Sequence, residues 1–344
     1  MRMTRPVFVA LVGAISFAVV ALSGCGPTGA DSTEVAPSIA AVNPELLTDS
    51  SIPVIENLEY GEAGGDPLLL DACLPKSDQT PQQPDTVDAG TGQDPAVEAG
   101  QDESTRAAIV LIHGGSWTRG DKADVAWRAV CQWLASAGYP TFSVDYRLAP
   151  ASIFPAAIDD VKSAVRWLRE PEQVSRFKID PLRIGAFGGS AGGNLAALIG
   201  TEGRGPTDEG SRVAAVVDMS GPSDLTGVAV GNDFVPVQLA YLGCATEVAC
   251  PNARAASPVY SVDPTDPPFF VSHSSDEKIP IEQSQLLVSA LRDAGITTEF
   301  VTVQGTLHSI AMINADLKVR IIEFLDAHLA APPIVVTQDG DSAG

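Results

Sequence analysis

Two kinds of hydrophobic pattern alternate along most of this chain. Short, nearly unbroken apolar runs are followed by longer stretches in which apolar residues recur every three or four positions. The short runs Ala107–His113, Thr141–Tyr146, Arg183–Gly189, Val213–Ser220, Phe269–Ser274 and Glu299–Val303 predict strands. The longer stretches Asp121–Ala137, Pro155–Arg169, Ile281–Ala294 and Asn314–Leu329 predict helices, and a further helix follows Ser190. Strands that are solidly apolar, rather than alternating, are covered on both faces. Strand and helix in strict alternation therefore predict an α/β domain whose mostly parallel sheet carries helices on both sides. Two opening strands, Asn57–Glu62 and Leu68–Leu74, precede this series. Residues 221–268 interrupt the alternation and are expected to form a cap over the site.

The ends and one internal stretch break from this pattern. Residues 76–106 are rich in Pro, Gln, Gly and Asp and have almost no large apolar side chains. Such a segment cannot bury enough surface to order itself, so it is expected to be a disordered insertion, because the strand pattern resumes after it. Residues 25–51 resemble a flexible tether, residues 331–344 a disordered tail, and residues 52–330 the folded domain. At the start, Arg2 and Arg5 precede an apolar stretch from Val7 to Ala21 that is short for a membrane span. Leu22-Ser23-Gly24-Cys25 follows and resembles the lipobox of bacterial lipoproteins. The expectation is a signal peptide over residues 1–24 and diacylation of Cys25, holding the protein on the cell envelope without a transmembrane helix.

Charge narrows the partners. The formal net charge is −22, and loss of Arg2 and Arg5 with the leader makes the mature chain more acidic still. That balance opposes nucleic acid and anionic lipid headgroups. In an exported protein the remaining cysteines, Cys73, Cys131, Cys244 and Cys250, permit disulfides. Cys244 and Cys250 lie in one loop-like stretch and are expected to bridge locally. Cys73 and Cys131 either pair or stay as buried thiols. No H-x-x-x-H or C-x-x-C pair and no EF-hand spacing is present, so no metal site is expected. No G-x-G-x-x-G opens a helix after the first strand, so no dinucleotide or other cofactor is expected.

The candidate chemistry sits where strands end. Gly188-Gly189-Ser190-Ala191-Gly192 joins a strand to a helix, the context a nucleophile elbow requires. Gly340-Asp341-Ser342-Ala343-Gly344 matches the same pattern, but the sequence stops there with no helix after it, so Ser342 is a decoy. After the strand ending at Ile112 comes His113-Gly114-Gly115-Ser116-Trp117. Gly114 and Gly115, with Ala191, are placed to offer backbone N–H groups to an oxyanion. Asp276 follows the strand Phe269–Ser274, with Glu277 beside it as the competing carboxylate. His308 follows the last strand. Of the other histidines, His113 belongs to the glycine loop, His273 precedes the acid, and His328 lies in the closing helix. Serine needs a base, histidine titrates near neutrality, and an acid on its far nitrogen sets the tautomer. The expected triad is Ser190, Asp276 and His308.

These residues, with Asp145-Tyr146-Arg147-Leu148 and Phe154-Pro155-Ala156-Ala157-Ile158-Asp159-Asp160-Val161, resemble the α/β-hydrolase superfamily. Within it the resemblance is to hormone-sensitive lipase-like esterases and to bacterial carbohydrate or feruloyl-type esterases. Ser116 stands where hormone-sensitive lipase-like members usually carry glycine, and H-G-G-x-W looks like the feruloyl-type esterases and also kynurenine formamidases. The resemblance implies a serine hydrolase of carboxylic esters acting on a small-molecule or carbohydrate ester. The alternatives are a formamidase using the same triad and a binding protein on a hydrolase scaffold. Acyl length, alcohol and oligomeric state stay open.

Overall fold

In the computed structural model, residues 47–76, 105–227 and 234–330 are described. Cys25, the leader, the insertion between residues 77 and 104, and the tail after residue 330 lie outside the described residues. The strands are β1 (Val54–Ala63), β2 (Asp66–Cys73), β3 (Arg106–Ile112), β4 (Thr141–Val144), β5 (Ile179–Gly189), β6 (Ala215–Met219), β7 (Phe269–Ser274) and β8 (Thr298–Val303). They form a single sheet in the order β1-β2-β4-β3-β5-β6-β7-β8. Strands β1 and β2 form an antiparallel hairpin, and β2 pairs antiparallel with β4. From β4 to β8 every pairing is parallel. The mostly parallel sheet expected from the apolar runs is therefore present.

Burial explains which runs became which strands. Six of the seven residues of β3 are buried, as are all of β6 and β7. Edge strand β1 is exposed or part-buried at every position but Tyr60, as a solvated edge allows. Two apolar layers result. One gathers Val110, Ile158, Val161, Leu195 and Leu198, and the other Ile109, Leu134, Phe187, Ile321 and Leu325. Adjacent β3 residues thus feed opposite layers, as the two-residue period requires.

The helices are α1 (Val125–Ser136), α2 (Ala156–Leu168), α3 (Pro171–Phe177), α4 (Ala191–Thr201), α5 (Val235–Leu242), α6 (Pro251–Ala255), α7 (Glu282–Asp293) and α8 (Ala315–His328). Asp124 caps α1 by accepting from Ala126 N, and Asn314 caps α8 by accepting from Leu317 N. Helix α3 was not anticipated; with only seven residues it offers too short a periodic signal. Between β6 and β7 the chain forms α5, α6 and a 3-10 turn, Pro258–Tyr260. Tyr241 of α5 stacks on Trp117 of the glycine loop, with ring centroids 4.4 Å apart.

Two disulfides tie the domain. Cys244 and Cys250 bridge, as expected, with Cα atoms 5.4 Å apart. Cys73 and Cys131, left open by the sequence, also bridge, joining the end of β2 to α1 with Cα atoms 5.8 Å apart. Among the described residues no helix is long and apolar enough to cross a membrane.

Candidate active site

The site is built at the carboxyl ends of β3, β5, β6, β7 and β8. Strand β5 ends at Gly189, and α4 starts at Ala191. Ser190 stands between them with φ 58° and ψ −124°, left-handed backbone that a non-glycine residue adopts only at a cost. The turn is possible because its flanks lack side chains. A Cβ on Gly188 would lie 2.0 Å from Gly192 O, and one on Gly192 would lie 2.1 Å from Ile112 O. The bond from Ser190 N to Met219 O, 2.8 Å, anchors the elbow to the end of β6.

The glycine loop lies directly against this elbow. A Cβ on Gly114 would fall 2.9 Å from Gly189 O and 3.2 Å from Ser190 Cβ, so its backbone passes beside the serine. Gly115 has φ 128°, and the carbonyl of Arg119 fills the space where its side chain would be. Ala191 opens α4, so its N–H is one of the first-turn donors that no helical carbonyl accepts. His113 braces the loop. Its ring stacks on Tyr146 at 4.3 Å, its Nδ1 lies 2.8 Å from Gly114 O, and Tyr146 donates its hydroxyl to His113 O at 2.9 Å. Arg147, next along, holds Asp160 of α2 through its backbone N–H and its guanidinium. The two segments flanking Tyr146 and α2 are thereby locked together under the loop.

His308 precedes a 3-10 turn, Ser309–Met312. Its Nδ1 donates to Glu277 Oε2, and its Nε2 is buried with no hydrogen-bond partner. Ser309 fixes the ring's approach to the serine. A Cβ on Gly189 would meet Ser309 Oγ at 2.1 Å, so the residue after the histidine packs on the residue before the serine. No hydrogen bond joins the Ser190 hydroxyl to His308. Burial, first of all, holds the His308 imidazole below its usual pKa; the bond to Glu277 opposes this, and the Lys278 charge adds to it.

The carboxylate on His308 is that of Glu277, not Asp276, which corrects the expectation from the sequence. The reason lies in the turn. After β7, Ser275 N still bonds Val303 O, and Asp276 N bonds Gly305 O, at 2.8 and 3.0 Å. The backbone thus stays against the end of β8 for two residues beyond the strand and leaves the Asp276 side chain in solvent. The next residue turns inward, and its side chain is fully buried. Its second oxygen is satisfied as well. Glu277 Oε1 accepts from Ser220 Oγ and from Ser274 N, and His273 Nε2 lies 3.1 Å away. That same Nε2 lies 2.8 Å from Ile279 O. Facing two acceptors, it carries the proton and donates.

Ser220 is the member of the site that the sequence did not reveal. It is fully buried at φ 58°, at the end of β6, and its hydroxyl also accepts from Ser309 N at 3.3 Å. It therefore ties the acid loop to the histidine loop. Its place at the end of a central strand was the available signal, but serine is too common for that to stand out. Beneath it, Asp218 is buried and accepts from Gly221 N at 2.9 Å, and burial pushes its carboxyl up to about 7. Among the described residues no group of acidic, histidine or cysteine side chains could hold a metal ion.

A parallel sheet wound with helices, a serine on a strained strand-to-helix turn and a histidine on a buried carboxylate define the α/β-hydrolase fold. Within it, residues 97–291 match the BD-FAE family model, and the chain belongs to that family. It is 35% identical over 223 residues to Esterase LipC of Mycobacterium tuberculosis (strain ATCC 25618 / H37Rv), covering 58% of this chain and 53% of that protein. It is 34% identical over 204 residues to Esterase LipQ of the same organism, covering 56% and 48%. The chain thus spans about half the length of these curated relatives. Among solved structures, a bifunctional GH43-CE protein of Bacteroides eggerthii aligns with TM-score 0.64 and 26% identity, over 80% of this chain and 35% of that one. A Thermogutta terrifontis esterase, Est2, aligns with TM-score 0.58 and 24% identity, over 81% and 93%.

Proposed function

We propose that this protein hydrolyses carboxylic esters through an acyl-enzyme on Ser190, with His308 as base and Glu277 as the acid that orients it. The observation behind this is the His308 ring. Its Nδ1 is fixed on a buried carboxylate, and its Nε2 is left without a partner beside the serine elbow. With the proton held on Nδ1, Nε2 presents a lone pair, the form a general base needs. As Ser190 Oγ attacks the ester carbonyl, Nε2 takes its proton, and the imidazolium is stabilised by Glu277. The N–H groups of Gly114, Gly115 and Ala191 receive the developing oxyanion. Collapse expels the alcohol, protonated by His308, and water repeats the sequence on the acyl-enzyme. The esterase names of LipC and LipQ support the reaction class, and the likeness of the H-G-G-x-W segment to feruloyl-type esterases supports a small-molecule or carbohydrate ester as substrate.

The test is labelling by a fluorophosphonate together with hydrolysis of 4-nitrophenyl acetate. Ser190→Ala is expected to lose both, with turnover down by about six powers of ten, while Ser342→Ala keeps both. Activity retained in Ser190→Ala would overturn the reading.

Export and lipidation of Cys25 belong to the same proposal, resting on Arg2, Arg5, the apolar stretch and Leu22-Ser23-Gly24-Cys25. Two acyl chains would hold the enzyme on the cell envelope. Cys25→Ser is expected to release it from the membrane fraction, and a wild type that takes up no palmitate analogue would refute the anchor.

A further inference from the structure

Arg119 and Lys278 set positive charge on either side of the site in a strongly acidic protein. Arg119 belongs to the glycine loop. Its N–H donates to Gly115 O at 3.2 Å, and its Cγ would lie 3.3 Å from a Cβ on Gly115. Lys278 follows Glu277 directly, and its ammonium lies over the Phe234 ring, 5.3 Å from the centroid. Glu277, the chain neighbour of Lys278, holds His308 Nδ1, and Gly114, on the loop that carries Arg119, passes beside Ser190. The two residues therefore stand on the loops that flank the site, one on the side of the proposed oxyanion loop and one on the side of the histidine.

Neither cation forms an ion pair with a carboxylate among the described residues. Lys122, Arg128, Arg147, Arg212 and Arg320 each do. Glu277, beside Lys278 in the chain, has its oxygens already facing His308, Ser220, Ser274 and His273. Burial, and after it the Arg119 charge, hold the Lys278 ammonium below its usual pKa, so its charged form is disfavoured as it stands. Such an arrangement is relieved by an anion between them. With a net charge of −22, the rest of the chain repels an anionic substrate, so acceptance of one needs local positive charge of this kind.

We propose that Arg119 and Lys278 form an anion subsite, so that the preferred ester carries a carboxylate on its acyl or its alcohol side. This rests on the ester-hydrolase reading above and adds the substrate's charge to it. A guanidinium and an ammonium are donors without acceptor capacity, which suits them to a carboxylate rather than to a neutral hydroxyl-rich group.

The test compares matched esters on the full-length protein at low ionic strength. 4-Acetoxybenzoate against 4-acetoxybenzamide places the charge on the alcohol side. Monomethyl glutarate against methyl pentanoate places it on the acyl side. The wild type is expected to favour the anionic member of one pair by about tenfold in kcat/KM, as two exposed charge pairs acting together allow. That ratio should collapse in Arg119→Gln and in Lys278→Gln, and should reverse in Lys278→Glu. Independently of any variant, raising salt from about 20 mM to about 500 mM should erase most of the wild-type preference by screening. Hydrolysis of all four esters with no charge preference would overturn the subsite alone. So would equal losses on charged and neutral members in the variants, which would mean that the cations serve the oxyanion or His308. Hydrolysis of none, with Ser190 refractory to fluorophosphonate, would overturn the ester-hydrolase reading and the subsite with it.

Discussion

Replacing Glu277 by glutamine changes one atom and should nearly stop the reaction. The Glu277 carboxylate faces four donors: His308 Nδ1 on one oxygen, and Ser220 Oγ, Ser274 N and His273 Nε2 on the other. A carboxamide has one acceptor oxygen and one NH2. With the NH2 toward His308, the imidazole must move its proton to Nε2, which can then no longer accept the proton of Ser190. With the NH2 turned the other way it meets three donors in a fully buried site. Each donor left unsatisfied there costs about 1–3 kcal/mol, and the imidazolium of the transition state has lost its counter-charge. Loss of the correct tautomer in such a triad lowers kcat by about four powers of ten, or about 5.5 kcal/mol. Asp276→Asn, by contrast, alters an exposed side chain whose residue contributes a backbone bond to Gly305 O, and should stay within about a factor of three of the wild type. Hydrolysis of 4-nitrophenyl acetate at saturation, with a thermal melt to confirm folding, measures both. The residual activity of Glu277→Gln should also have its acid limb at lower pH, because Glu277 raises the pKa of His308. Equal losses at the two positions, or a crippled Asp276→Asn beside an active Glu277→Gln, would refute the reasoning.

Lys278 depresses the pKa of His308, so Lys278→Gln should move the acid limb of kcat/KM to higher pH, read on a neutral ester. The Cys73–Cys131 bridge closes a separation of 58 residues and the Cys244–Cys250 bridge one of 6. On chain entropy alone, replacing the first pair by alanines should cost about 4 kcal/mol and the second about 2, as read by urea unfolding. Asp218 has a folded pKa raised to about 7, so the folded state holds a proton that the unfolded chain releases near pH 4. Stability should therefore fall as pH rises from about 4 to about 7. Asp218→Asn, which keeps an acceptor for Gly221 N, should flatten that fall in Tm measured at intervals across the range.

By itself, the sequence determined the layers and four of the five loops at the site. Central strands such as β3 are apolar on both faces, and α2 repeats its apolar residues every three or four positions, so their type was legible without any partner. The serine elbow was legible because Gly188 and Gly192 are required by atoms close in the chain or on the neighbouring strand. His308 could be chosen by elimination among four histidines. The choice between Asp276 and Glu277 belonged to the tertiary structure. Two adjacent carboxylates in one loop are equivalent until the bonds of Ser275 and Asp276 to the end of β8 decide which faces inward. Ser220 is of the same kind, since its role exists only where β6, the acid loop and the histidine loop converge. The Cys73–Cys131 bridge likewise required α1 to lie on the end of β2. Local chemistry can be read along a chain because its causes lie within a few residues. Contacts between chain ends of different strands depend on how the sheet orders and staggers those strands, which no stretch of the sequence states alone.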